Sequence, residues 1–283
     1  MTYRSLLLHL DHDPHCTART QVAIRLAKKL DCHLAGVAPT GFMDVPASPQ
    51  DSISLTEFAA VAWRTLRDQA EQATQRFREE CRTAGLKSFE AVIDEEDKAT
   101  SLVRHAHCSD LTILSQADPG ATGHELAQDV VEQVVLFSAR PTLILPHTYR
   151  NAAGGSIGTH AMVAWDDSRE AARALSDALP LLRLAKRVQV VNWHKARANS
   201  DQTWHTRLDA LHQWLMWQGV PADVCVETSD INITDTMLSR AAKLKSDLIV
   251  MGAYGHARWN ERMLGGATRG MLTSMTVPVL MSH

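Results

Sequence analysis

Short apolar runs that end at an aspartate or a glycine alternate along this chain with longer stretches of helical period. Leu6-Leu7-Leu8-His9-Leu10 closes at Asp11, and Met162-Val163-Ala164-Trp165 closes at Asp166. Leu248 to Met251 is apolar without interruption, as expected of a central parallel strand covered on both faces, and it stops at Gly252. In the second part of the chain the pattern predicts strands near 160–165, 187–193, 222–227, 247–251 and 277–281. It predicts helices near 168–184, 201–218, 232–244 and 264–274. Trp204, Leu208, Leu211 and Leu215 recur at helical spacing and read as a buried stripe, with Trp214 and Trp217 off it.

The pattern occurs twice. Asp11 and Asp166 head the two copies 155 residues apart. Asp110-Leu-Thr-Ile-Leu matches Asp247-Leu-Ile-Val-Met, and Pro141-Thr-Leu-Ile-Leu matches Pro278-Val-Leu-Met-Ser, each 137 residues apart. The first copy is therefore longer by about eighteen residues, placed at Gly41 to Ala60, where Pro46, Ser48, Pro49 and Ser52 cluster. Residues 1–149 and 159–283 read as two domains, with 150–158 as a flexible linker. Each copy alternates strand and helix, which predicts the α/β class: two repeated open, parallel five-stranded sheets with helices on both faces, Rossmann-like. Val277 to Met281 reads as an edge strand that seeks a partner, and Thr142 to Leu145 is available within the same molecule.

Composition narrows the function classes. The 283 residues are 45% hydrophobic and 22% charged, with formal net charge −3, so nothing electrostatic calls for nucleic acid or an anionic membrane as partner. No apolar run approaches a membrane span of about eighteen residues, and the N-terminus reads as a first strand rather than a signal peptide, so a cytoplasmic location is expected. Five cysteines without a C-x-x-C pair do not form a disulfide or zinc pattern.

The candidate chemistry lies after the run at 248–251. Gly252 and Gly255 are followed by Gly265 and Gly266, which open a predicted helix. Glycines allow close backbone approach, and free N–H groups at a helix start attract an anion, so the spacing predicts a phosphate or nucleotide site. The alternative is a glycine-rich strand-to-helix turn that binds nothing. Asp166 lies at a neighbouring strand end, where its carboxylate can accept hydrogen bonds from ribose hydroxyls or cap the next helix. Arg258, Arg262 and His256 read as exposed loop residues first and ligand contacts second. His9, Asp11, His12, Asp13, His15 and Cys16 form no closed zinc spacing, and no metal is assigned to them. No nucleophile elbow and no P-loop lysine are present, and no residue stands out as a base that positions water. No catalytic residue is named, and any hydrolysis is expected to be slow and incidental to binding.

Gly-x2-Gly-x9-Gly after the fourth strand of a domain, with V-A-W-D-D-S at Val163 to Ser168, V-M-G-A-Y-G-H from Val250 and T-V-P-V-L-M from Thr276, resembles the universal stress protein family in its tandem two-domain form, over nearly the full chain. The resemblance implies an adenine-nucleotide alpha-hydrolase-like fold and ATP as ligand, with or without magnesium. It places Asp166 at the adenosine end, backbone near Trp193 at the adenine, and Gly252, Gly255, Gly265 and Gly266 around the phosphates. The family normally has Ser or Thr where this chain has Gly266; Thr268 is two residues on. The resemblance also implies a stress-response role in regulation or signalling, pairing of the two domains as an intramolecular pseudo-dimer, and further association into a homodimer.

The first copy departs from the motif. Ser115 and Asp118 stand at the places of Gly252 and Gly255, and Gln128 and Asp129 at those of Gly265 and Gly266. Two carboxylates there oppose a polyphosphate, so the N-terminal domain is expected not to bind ATP in this mode and to serve as a packing partner. The leading expectation is an ATP-binding stress protein whose site is in the C-terminal domain. The alternatives are a nucleotide-independent protein-interaction module and an enzyme of nucleotide transfer or hydrolysis.

Overall fold

A computed structural model of the chain describes residues 2–41, 52–121, 123–150, 155, 157–194, 202–229, 232–255 and 266–283. The first half runs β1 (Ser5–His9), α1 (Cys16–Leu30), β2 (His33–Pro39), α2 (Ser52–Thr83), β3 (Phe89–Asp94), α3 (Lys98–Ala106), β4 (Leu111–Ser115), α4 (His124–Phe137) and β5 (Thr142–Leu145). The second runs β6 (His160–Trp165), α5 (Arg169–Leu182), β7 (Arg187–His194), α6 (Gln202–Trp217), β8 (Ala222–Thr228), α7 (Ile233–Leu244), β9 (Leu248–Gly252), α8 (Gly266–Ser274) and β10 (Val279–Ser282). The expected alternation holds throughout. Much of the first copy's extra length lies in α2, which has 32 residues where α6 has 16. The rest of the stretch 42–51 lies outside the described residues.

The two expected sheets are one. Ten strands follow the order β3-β2-β1-β4-β5-β10-β9-β6-β7-β8. Pairing is parallel within each half and antiparallel only where β10 meets β5, with Val279 opposite Ile144, Leu280 opposite Leu143 and Met281 opposite Thr142. Val279, Leu280, Met281, Leu143 and Ile144 are all fully buried. The strand read as an edge is thus central, because the outer strand of each half is apolar on both faces and covers the other.

Side-chain bonds fasten this junction from both faces. Gln116, buried just after β4, donates from Nε2 to the Leu272 and Thr273 carbonyls, 2.8 and 2.9 Å away, and so caps the C-terminal end of α8. Its Oε1 accepts from the His147 N–H at 3.1 Å. Tyr3 Oη donates to the Asp177 carbonyl at 2.6 Å, and Arg173 Nη2 to the Ala139 carbonyl at 2.9 Å. Leu208, Leu211 and Leu215 are buried as expected of the α6 stripe, whereas Trp217 is exposed. No described helix is long and apolar enough to cross a membrane.

Gln116→Ala leaves two helix-end carbonyls and one N–H without their partner. Unfolding in urea should show a loss of about 1–3 kcal/mol relative to the unaltered chain; an unchanged midpoint would remove Gln116 from the junction.

Candidate functional site

In an open parallel sheet the carboxyl ends of strands face a crevice where strand order reverses. The reversal lies between β6 and β9 in the second half, which are parallel neighbours with Val163 opposite Val250. Asp166 follows β6 and Gly252 ends β9, so the sequence-predicted pair meets at one crevice. Asp166 is exposed, and its Oδ1 accepts from the Ser168 N–H at 3.1 Å and the Ser168 hydroxyl at 2.5 Å. Ser168 Oγ in turn accepts from the Ala171 N–H at 3.1 Å as the N-cap of α5. Asp166 therefore supports the cap through Ser168 while lying at the strand end.

The glycines differ in what they do. A Cβ on Gly252 would come within 2.6 Å of the Ala171 nitrogen and the Glu170 carbonyl carbon, both backbone of the first turn of α5. Gly252 is required by close packing of strand against helix, whatever binds. A Cβ on Gly255 would meet Glu170 Oε2 at 2.8 Å, a flexible side-chain end. At Gly266, the exposed first residue of α8, no atom of the described residues lies within 4 Å of a Cβ position, so none of them excludes the hydroxyl missing there. Thr268 does not open onto this face: it is buried, and its Oγ1 accepts from the Tyr254 N–H at 3.0 Å. That bond holds the strand-end turn against the first turn of α8. Tyr254 itself has φ of 60°, in the left-handed region.

Trp193, near the end of β7, is partly buried and packs its ring against the core that includes Met162 and Ile249. Its neighbour Asn192 is buried and donates from Nδ2 to the Trp165 carbonyl at 2.8 Å, fixing the β6 and β7 ends together. Gly265, His256, Arg258 and Arg262 lie outside the described residues.

Glu170 was missed by sequence reasoning. Its side chain is buried at the foot of Gly252 and Gly255, with Oε1 2.9 Å from Nη2 of the exposed Arg169. A charged residue in a helical first turn reads as solvated; the available signal was its place two residues after the cap, beside Ala171. The Glu170 carboxylate is neutralised in part by Arg169.

The equivalent reversal in the first half lies between β1 and β4, and there a cavity of about 500 Å³ opens. Its floor carries a network with no counterpart among the described residues of the second half. Arg19 is fully buried and donates from Nε to the His9 carbonyl at 2.9 Å, from Nη1 to Ser115 Oγ at 2.6 Å and from Nη2 to Asp11 Oδ1 at 2.8 Å. At the repeat offsets Arg19 corresponds to Ala174 and Ser115 to Gly252. Burial pushes the Asp11 carboxyl up, but Arg19 outweighs it and holds the group below the usual carboxylate range. His9 Nδ1 lies 3.3 Å from Asp11 Oδ2. Burial pulls the His9 imidazole down to about 3, with Asp11 opposing and Arg19 and Lys98 adding to the fall.

Comparison with known proteins gives the following. Residues 159–283 match the model of the Universal stress protein family. A universal stress protein from Archaeoglobus fulgidus DSM 4304 is similar in structure at 17% identity, over 98% of this chain and 95% of its own, with a TM-score of 0.75. A protein of unknown function from Pseudomonas aeruginosa PAO1 is similar at 16% identity, over 99% and 92%, with a TM-score of 0.60. At these identities the likeness is one of fold, and it spans both halves. No curated protein sequence matches the chain significantly.

Two outcomes follow from the geometry. Gly252→Ala forces a methyl onto helix backbone and should lower stability by about 1–3 kcal/mol, or more, in thermal or urea unfolding; an unaffected midpoint would contradict the packing role. His9 is neutral when folded and, near an ordinary value of about 6.5, protonated when unfolded. Its depressed value means that stability is intact above about 6.5 and falls as pH drops toward about 3. The slope owed to His9 approaches about 1.4 kcal/mol per pH unit, measured as urea stability between pH 7 and 5. His9→Asn should flatten it; the same slope in both chains would assign the dependence elsewhere.

Proposed function

With residues 159–283 forming a universal stress protein domain, we propose that the chain binds ATP at the β6–β9 crevice, in a regulatory stress-response role without committed catalysis. The observation that carries this reading is the convergence of Asp166, Gly255 and the first described turn of α8 at Gly266 on the place where strand order reverses. In this reading Asp166 accepts from the ribose hydroxyls and backbone near Trp193 meets the adenine. N–H groups around Gly252, Gly255, Gly265 and Gly266 surround the phosphates, with magnesium as the natural companion of the triphosphate. Arg169 offsets the Glu170 carboxylate on the approach. Residues 1–149 and 159–283 act as an intramolecular pseudo-dimer, a reading supported by the β5–β10 pairing.

Nucleotide occupancy acts by favouring one conformation or assembly over another, to the extent of its differential affinity. A homodimer adds to this only if a face outside the β5–β10 junction is used.

The test is calorimetric titration of ATP, with magnesium, into the nucleotide-stripped chain. One site per chain at micromolar affinity, about −8 kcal/mol, is expected. Gly255→Asp sets a second carboxylate beside Glu170 in a backbone conformation open to any residue, and should weaken ATP at least tenfold while the chain stays folded. Unchanged affinity in that variant overturns the site. Absence of heat at millimolar ATP transfers the function to protein interaction.

A further inference from the structure

The cavity of the first half is the mirror of the nucleotide crevice in topology and its opposite in chemistry. It sits at the carboxyl ends of β1, β2 and β4, the general ligand position of an open α/β sheet. Its volume, about 500 Å³, lies within the range of small-molecule sites. Leu10, Ala38, Ala70, Leu114 and Val130 supply apolar wall, and Asp11, Asp13, Lys98 and Asp118 are among the polar groups that line it. Apolar wall with convergent polar groups is how small-molecule sites are built.

The end that holds a ligand's head survives the repeat. Asp11 stands where Asp166 stands, after the first strand. It is pinned by Arg19 at 2.8 Å yet remains about one-fifth exposed, and a carboxylate with two bonds retains lone pairs for hydroxyl donors. The end that would hold phosphates does not survive. Asp118 lines the cavity at the place of Gly255, with Oδ1 accepting from the Gly120 N–H at 2.9 Å, which fixes its carboxylate there. Ser115 replaces Gly252 and is bound by Arg19, whose three guanidinium nitrogens each bond within the protein beneath a fully buried side chain. Lys98, the other strong cation among the described lining residues, shares the lining with Asp11, Asp13 and Asp118, so carboxylates outnumber it there.

We propose that this cavity is a second ligand site, one that takes a phosphate-free, hydroxyl-bearing heterocycle of nucleoside size and discriminates against its phosphorylated forms. The choice of head group rests on the nucleotide reading of the other half; the exclusion of phosphate rests on Asp118 and the Arg19 network alone. One chain thus presents two crevices of the same topology, one for the charged and one for the uncharged form of a related ligand.

Adenosine, AMP and ATP are titrated by calorimetry into the full chain and into Ala127→Trp. Ala127 is exposed on α4 and lines the cavity, so a large side chain there fills the space without entering the core. Adenosine binding to the N-terminal cavity should vanish in Ala127→Trp, seen as one fewer site per chain, while ATP uptake is unchanged. Asp118→Asn keeps the acceptor for Gly120 and removes the charge; it should raise AMP affinity at this cavity about three- to tenfold and leave adenosine unaffected. The proposal is overturned if adenosine does not bind, if its isotherm is the same in Ala127→Trp, or if AMP binds this cavity as tightly as adenosine before Asp118 is changed. Loss of ATP uptake in Ala127→Trp overturns it too, since the cavity would then hold the triphosphate. ATP binding to the unaltered chain, read separately, decides the nucleotide reading of the second half.

Discussion

The antiparallel pairing of β5 with β10 is the constraint on which the rest depends. Each half is a parallel sheet whose last strand is apolar on both faces, and neither could leave that strand exposed. Joining them makes one continuous sheet and fixes register: a slip by one residue would turn Leu280 and Leu143 from one layer of helices to the other. Because the halves run antiparallel at the junction, their strand carboxyl ends point in opposite directions. The two crevices therefore open at opposite ends of the sheet, and neither can share a ligand with the other.

Within that frame the halves differ in how they close the gap between the two strand ends and the first helix. In the second half a glycine does it by letting β9 abut the backbone of α5, with Glu170 folded underneath. In the first half a long side chain does it. Arg19 enters the same gap and is held by one backbone carbonyl, one hydroxyl and one carboxylate, as a buried cation requires. The first solution leaves backbone open toward a ligand, whereas the second occupies it. On the proposed reading, the same topology yields one crevice for an anion and one that excludes it.

Much of this was legible in the sequence, and the failures have a common cause. Strands at 160–165, 187–194, 222–228, 248–252 and 279–282 follow apolar runs, and Asp166 and Gly252 mark their ends. These are local signals, since strand period and turn chemistry are carried by neighbouring residues. Arg19, Gln116 and Glu170 gave no such signal. A charged or amide residue reads as solvated unless its partner is known, and Ser115 and Leu272, partners of Arg19 and Gln116, are 96 and 156 residues away. The space at the first-half crevice was likewise hidden, because loss of the glycines indicated loss of phosphate binding but said nothing about the volume left behind. Merging of two sheets into one was half-visible: the apolar β10 asked for a partner, while continuity across the junction needed the register.

Gln116 shows what a long-range contact adds to a repeated fold. The nine residues of α8 span about 13 Å, with Gly266 at the end toward the β6–β9 crevice and the Leu272 and Thr273 carbonyls on Gln116 at the other end. Gln116 itself lines the cavity of the first half. At the repeat offset its counterpart is Ala253, which has no side-chain amide to offer; the second half reaches back through Arg269 instead, whose Nε lies 3.8 Å from Glu132 Oε1 on α4. Were α8 to move with Gln116, a ligand that prefers one position of Gln116 would, by reciprocity of binding free energies, also alter the affinity of whatever binds at the start of α8. The size of that effect is bounded by the difference in ligand affinity between the two positions. The two crevices, kept apart by the antiparallel junction, are thus joined by a single helix that crosses it.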